Sequence, residues 1–198
     1  MRGNPQNHPK NGDSTTVEPI RNPKDIEAIK KLLQGYPRDL LLFTLGINNG
    51  LRVGDLLKLR VWQVRLLKPG QSINIREGKT GKQNILMVNK SVHRALQAYL
   101  SSINPSDDDF LFASRTGGKA ITIQRVNQMI KGWTKSIHLQ GNFGSHSLRK
   151  TFGYAQRTRF GIGFEILAKR FNHSSPSITM RYLGVQPDEV NEILLNEI

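Results

Sequence analysis

The stretch 71–88, "QSINIREGKTGKQNILMV", decides the class of fold. Two alternating runs flank Gly78-Lys79-Thr80-Gly81, the pattern of a β-hairpin with Lys79 at its tip. On both sides of it the apolar period becomes helical. Upstream, Asn22 can cap and Pro23 suits a first helical turn in "NPKDIEAIKKLLQG", where Ile26, Ile29 and Leu33 share a face and Gly35 ends the helix. "RDLLLFTLGI" is a second apolar helix broken by "NNG", and "LRVGDLLKLRVWQV" resumes helically. Downstream, helical patterns fall in "SVHRALQAYLSS", "TIQRVNQMIKGWTKSI", "SHSLRKTFGYAQRTRF", "GFEILAKRF", "SPSITMRYL" and "PDEVNEILLNEI". The expected fold is mainly α with a small antiparallel β-sheet, an α+β domain.

A chain of 198 residues suits one domain with a proper core. Residues 1–20, rich in Asn, Pro, Gly, Ser and Thr, read as a disordered leader or linker, which leaves 21–198 as the folded domain. The 29 Lys and Arg against 15 Asp and Glu give a net charge of +14, an excess that calls for an anionic partner, with nucleic acid foremost. The apolar run "LLLFTLGI" is far short of the roughly 20 residues needed to span a bilayer. The first residues show no signal-peptide apolar region. Without cysteine, disulfides, thiolate chemistry and the usual zinc frameworks are excluded. Cytoplasmic residence with the nucleoid fits these features.

Six residues stand out by position. Arg52 follows a helix break in "NNGLRVGD", Lys79 tops the hairpin, and His146 and Arg149 lie three apart on one face of a helix's first turn in "SHSLRK". His173 and Tyr182 sit nine apart in "FNHSSPSITMRYLG". Each alone has an ordinary reading: Arg52 bridging Asp55, a solvated turn lysine, a helix-start histidine, a surface arginine, two packing groups. Taken as an ordered set, those readings must all hold at once.

In this order and spacing the residues resemble the catalytic domain of the tyrosine recombinases, the phage-integrase family of site-specific recombinases, from about residue 21 to the C-terminus. "GLRVGDLLKLR" matches the family's first arginine and its acidic neighbour, giving Arg52 and Asp55. "GKTGKQ" matches the hairpin lysine, Lys79. "HSLRKTF" matches the His-x-x-Arg box, His146 and Arg149, and "NHSSPSITMRYLG" matches the His…Tyr segment, His173 and Tyr182.

The resemblance implies cleavage and rejoining of double-stranded DNA through a 3′-phosphotyrosyl link, in integration, excision or inversion. Tyr182 would be the nucleophile. Arg52 and Arg149 would hold the phosphate oxygens with their planar forks. His173 would add a hydrogen bond, and His146 would accept or relay the phenol proton. A phenol with pKa near 10 is hardly ionised at neutral pH, and cationic surroundings are expected to ease its deprotonation. Lys79 would protonate the leaving 5′ oxygen, with Lys82 a rival for that part. Neither metal nor cofactor is implied. The acidic run "SDDDF" reads as a loop. The family also implies a tetramer on DNA from a free monomer, with accessory DNA-bending proteins possible as partners.

Two features depart from the family's pattern. Phe171-Asn172-His173 stands where Leu-Gly-His is usual, and Asn is the residue best able to replace Gly at positive φ. Against the resemblance, residues 1–20 are not expected to supply the N-terminal domain that clamps the far face of DNA in most integrases, as in a fragment or a short member such as the fimbrial inverters. The tail 187–198 divides between packing on its own domain and docking into a neighbour. Trp62 and Trp133 are expected in the core or half-buried, and His8, His93 and His138 as structural or surface residues. Two other functions share these features: a type IB topoisomerase-like relaxing enzyme, and a non-catalytic DNA-binding relative.

Overall fold

A computed structural model describes residues 16–115 and 118–184, together with Leu195. Nine helices and one hairpin follow in the order α1 (Pro23–Leu32), α2 (Pro37–Asn49), α3 (Val53–Leu56), α4 (Val61–Val64), β1 (Ser72–Arg76), β2 (Gln83–Met87), α5 (Lys90–Ile103), α6 (Ile123–Ser136), α7 (Ser145–Phe160), α8 (Phe164–Phe171) and α9 (Pro176–Leu183), counted among the described residues. The tail 187–198 lies outside them, apart from Leu195.

Local chemistry sets the element ends. The Asn22 side chain accepts from Lys24 N–H at 2.9 Å ahead of Pro23, as its position predicts. Thr122 and Ser175 cap α6 and α9 in the same way. The stretch "LRVGDLLKLRVWQV" forms two single-turn helices, α3 and α4, and not one continuous helix.

Helix α2 is apolar on nearly every side, which makes it the central element. Leu41, Leu42, Phe43 and Leu45 are all buried, and α5 and α7 pack against it. At Gly46 a Cβ would lie 2.6 Å from Leu148 Cδ1, so the α2–α7 crossing depends on that missing side chain. Trp133 meets Phe43 edge to face at 6.0 Å, as a core tryptophan. Trp62 is different: it is 59% exposed on the outer side of α4, whose single turn buries only Val61 and Val64. A second, smaller cluster of Leu167, Phe171 and Leu183, with Phe152, Ile162, Phe164 and Tyr182 around it, lies beneath α8 and α9.

Order reaches further toward the N-terminus than the leader reading places it. Ile20 is buried, its N–H donates to Thr151 Oγ1 at 2.8 Å, and Glu18 N–H donates to the Asn142 carbonyl at 2.8 Å. These residues run beside α7 as part of the domain.

The hairpin pairs antiparallel in the register Ser72↔Met87 to Arg76↔Gln83. The edge of β2 away from β1 is covered by side chains. Asn49 makes a two-way pair with the Met87 backbone at 3.1 and 2.8 Å. Arg170 donates to the Ile85 carbonyl at 2.9 Å, and Asn172 to the Gln83 carbonyl at 3.1 Å.

Candidate active site

Arg52 enters the site from the end of α2. Gly50 closes that helix in the left-handed region at φ 60°, a conformation most side chains disfavour. Two residues later Arg52 leads into α3. Its Nη1 donates to Glu77 Oε2 at 2.5 Å, so its partner is Glu77 and not the neighbouring Asp55. Asp55 instead accepts the Gly78 N–H at 2.8 Å, tying α3 to the hairpin turn. Its other carboxylate oxygen is buried without a hydrogen bond among the described residues.

Lys79 stands exposed at the turn, whose base closes through Glu77 N–H to the Lys82 carbonyl at 2.9 Å. Arg149, one turn into α7, is 2% exposed and held on two sides. Nη1 donates to the Gly50 carbonyl at 2.6 Å and Nη2 to the Phe171 carbonyl at 2.7 Å. Its guanidinium also lies 4.3 Å over the Phe171 ring. Burial lowers its pKa to about 10, which leaves it charged at neutral pH.

A cleft of about 400 Å³ is lined by Arg52, Asp55, Lys58, Lys79, His146 and Arg149, with Gly78 and Ile123 at its edge. Four of the six residues singled out in the sequence therefore face one cavity. His146 also lines a second cleft of about 410 Å³, which it shares with Val17, Lys150, Ile178 and Tyr182. It is the residue common to the two. Partial burial of its ring, then the charges of Arg149, Arg52, Lys79 and Lys150, push its pKa below the usual histidine value. It is neutral near pH 7 and able to accept a proton.

His173 and Tyr182 meet edge to face at 5.3 Å between ring centres, and both pack on Phe171, the residue whose carbonyl holds Arg149. Asn172 supplies the turn before His173 at φ 53°, in the conformation glycine would take. His173 Nδ1 pairs with the buried Thr179 hydroxyl at 2.9 Å, which fixes the ring. Burial, then Arg149 and Arg52, lower its pKa to about 4.

The Tyr182 hydroxyl is buried and makes no hydrogen bond among the described residues. Burial raises its pKa to about 12, although Arg149 and Arg52 pull the other way from nearby. The cations thus ease its ionisation as expected, but desolvation of the phenolate outweighs them in the resting protein.

Lys82 is exposed and does not line the cleft; Lys58 does. The acidic run at 106–110 is structural: Asp107 pairs with Arg65 at 2.6 Å, and the Asp109 carbonyl accepts from Val61 N–H at 3.0 Å. Two residues of the site, Lys58 and Glu77, escaped the sequence reading. Glu77 carried a signal, since the two-residue alternation of Ile73 and Ile75 puts it next on the inward face of β1.

The model of the phage integrase family matches residues 22–189. A probable integrase/recombinase of Bacillus subtilis (strain 168), YoeC, is 34% identical over 175 residues, covering 87% of this chain and 92% of that protein. A tyrosine recombinase of Pseudothermotoga lettingae is 27% identical over 198 residues, covering 92% of this chain and 67% of its own. Among solved structures, XerA recombinase superposes with a TM-score of 0.72 at 23% identity, over 89% of this chain and 64% of that one. XerH site-specific recombinase, in a post-cleavage complex with its palindromic difH substrate, gives 0.71 at 21%, over 86% and 49%. The chain thus spans about half to two thirds of several of the proteins it matches, and nearly all of YoeC.

Proposed function

The chain belongs to the phage integrase family, and from that premise we propose how its six residues carry out site-specific recombination of DNA by a tyrosine nucleophile. The observation that carries the reading is the convergence on one cleft of Arg52, Lys79, His146 and Arg149, with His146 shared by the cleft that holds Tyr182.

A phosphodiester entering between Arg52 and Arg149 meets two permanent cations, each already braced by the protein. Preorganised donors of this kind act without the cost of reorganising during the reaction. With the Thr179 hydroxyl donating to Nδ1, His173 keeps its proton on Nε2 for a non-bridging oxygen. The Tyr182 oxygen attacks phosphorus, and the 5′ oxygen leaves. The phenol proton passes to neutral His146, and Lys79, charged as an ammonium, supplies a proton to the leaving oxygen. The products are a 3′-phosphotyrosyl link and a free 5′ hydroxyl, and the reverse step rejoins the strand with no external energy source.

The two other functions named above gain no support: all six positions are filled, and the relatives described above are named as integrase or recombinase. Four copies on paired DNA sites would bring two strand exchanges together, and residence with the cell's DNA follows from the substrate. No helix among the described residues is long and apolar enough to cross a membrane.

The test is a library of nicked duplexes with randomised cores, from which covalent protein–DNA adducts are recovered after denaturation. Wild type is expected to form adduct and Tyr182→Phe none. Equal recovery from both would refute the assignment.

A further inference from the structure

Glu77 has no part in the roles above, yet it pairs with one of the groups that do, Arg52, and closes the turn that carries another, Lys79. It is the last inward-facing position of the first hairpin arm, and its side chain is 0% exposed. Oε2 accepts from Arg52 Nη1 at 2.5 Å and from Thr80 Oγ1 at 2.6 Å, while Oε1 accepts from Asn84 Nδ2 at 2.7 Å. Its own backbone closes the turn at both ends, through Lys82 and through Gly81 N–H at 2.9 Å. One residue is thus the counter-ion of the first arginine and the base of the loop that presents Lys79.

A buried carboxylate survives only when paired and hydrogen-bonded. Burial alone would raise the pKa of Glu77, but the hydrogen bonds from Thr80, Asn84 and Arg52 outweigh it and hold the value at about 2. The side chain therefore carries its negative charge at neutral pH. The network extends onward: Asn84 Oδ1 accepts from Arg170 Nη1 at 2.7 Å, and Arg170 also donates to the Asn49 carbonyl. The carboxylate is therefore anchored to α2 and α8 as well as to the hairpin. It takes up one edge of the Arg52 fork and leaves the rest for a ligand in the cleft.

We propose that Glu77 is a positioning residue for strand cleavage, which holds the Arg52 guanidinium and the Lys79 turn through one carboxylate and so fixes their separation before DNA arrives. The proposal rests on the reading of Arg52 as a phosphate-binding group and Lys79 as proton donor. A brace for folding alone is the competing account, and the two differ in how a change at Glu77 combines with a change at Arg52.

The experiment compares Glu77→Gln and Glu77→Asp, in wild-type and Arg52→Lys backgrounds, on a nicked duplex that wild type converts to adduct. DNA affinity, single-turnover adduct rate at saturating protein and thermal midpoint are all measured. With Arg52 intact, Glu77→Gln is expected to slow adduct formation by about 10²-fold, the scale of a small misplacement of a reacting group. Affinity for DNA is expected to hold, since the fold and net positive surface remain. With Lys at position 52, the same change is expected to cost less than about threefold, because residues acting as a unit are not additive. Glu77→Asp keeps the charge but withdraws it by one methylene, and shows the same background dependence; it decides the matter if Glu77→Gln does not fold. Equal losses in both backgrounds, or an unimpaired rate beside a lowered thermal midpoint, would overturn the proposal while leaving the proposed function standing. A wild type that forms no Tyr182-dependent adduct would sink both.

Discussion

The Arg149 side chain donates to the Gly50 carbonyl at 2.6 Å, so the helix carrying one arginine of the cleft grips the turn from which the other emerges two residues later. The missing side chain at Gly46 lets α7 approach closely enough for that grip. The Arg149 guanidinium is thus tied to the backbone turn that leads into Arg52, so the two arginines are not independent of each other.

Gly50→Ala tests that arrangement. The residue sits at φ 60°, and an added Cβ would fall 2.3 Å from Phe152 Cδ1. Left-handed strain of about 1–2 kcal/mol adds to an overpacking cost of about 1–3 kcal/mol. Urea denaturation should show a destabilisation of that order, and the adduct rate should fall with it as the turn shifts. A variant with wild-type midpoint and rate would show that the turn does not couple the two.

Tyr182→Phe should separate stability from activity. Among the described residues the hydroxyl is buried without a hydrogen bond of good geometry, with Arg149 as a polar neighbour, and an unsatisfied buried group of this kind costs about 1–3 kcal/mol. Its removal is expected to leave the fold as stable as wild type or more so, while adduct formation is abolished. A clear fall in the urea midpoint would mean that the hydroxyl has a partner in solution.

Lys79 is expected to differ from both neighbouring lysines in a chemical rescue. Replacing the leaving 5′ oxygen by sulfur gives a leaving group that departs without a proton. Lys79→Ala should cleave an ordinary substrate slowly and the sulfur-bridged one at a rate near wild type. Lys82→Ala, outside the cleft, should behave as wild type on both. A rescue seen with Lys58→Ala and not with Lys79→Ala would transfer the role to the other lysine of the cleft.

Acid should destabilise the protein in two steps. His173 has its pKa depressed from 6.5 to about 4, so between those values the unfolded chain binds more protons than the folded one. Stability gained from the neutral ring is complete above 6.5 and is lost as pH falls toward 4, and His146 acts in the same direction. Glu77, depressed from 4.5 to about 2, adds a second loss across that lower window. Urea midpoints taken from pH 7 to pH 4 should decline in wild type and decline less in His173→Gln. A flat wild-type profile over that range would contradict the assignment.

How far the sequence could be read follows from how local each feature is. The hairpin, the cap at Asn22 and the His146/Arg149 pair rest on neighbours a few residues apart, and the structure has each of them. The αL turn at Asn172 was legible for the same reason. Trp62 was not, because a single-turn helix has no apolar period from which to tell the inner side. The raised pKa of Tyr182 was hidden because counting nearby cations says nothing of how deeply α8 and α9 bury the phenol. Glu77 falls between these cases: alternation points it inward, but only the folded turn reveals Arg52 waiting there.

The side-chain cover over the second hairpin arm has a consequence beyond the cleft. An unoccupied strand margin is a template on which foreign strands can grow. Here Asn49, Arg170 and Asn172 already hold the carbonyls such a strand would need. An invading peptide would have to dislodge an arginine that also clasps the end of α2. A second strand is thereby kept from pairing along this margin.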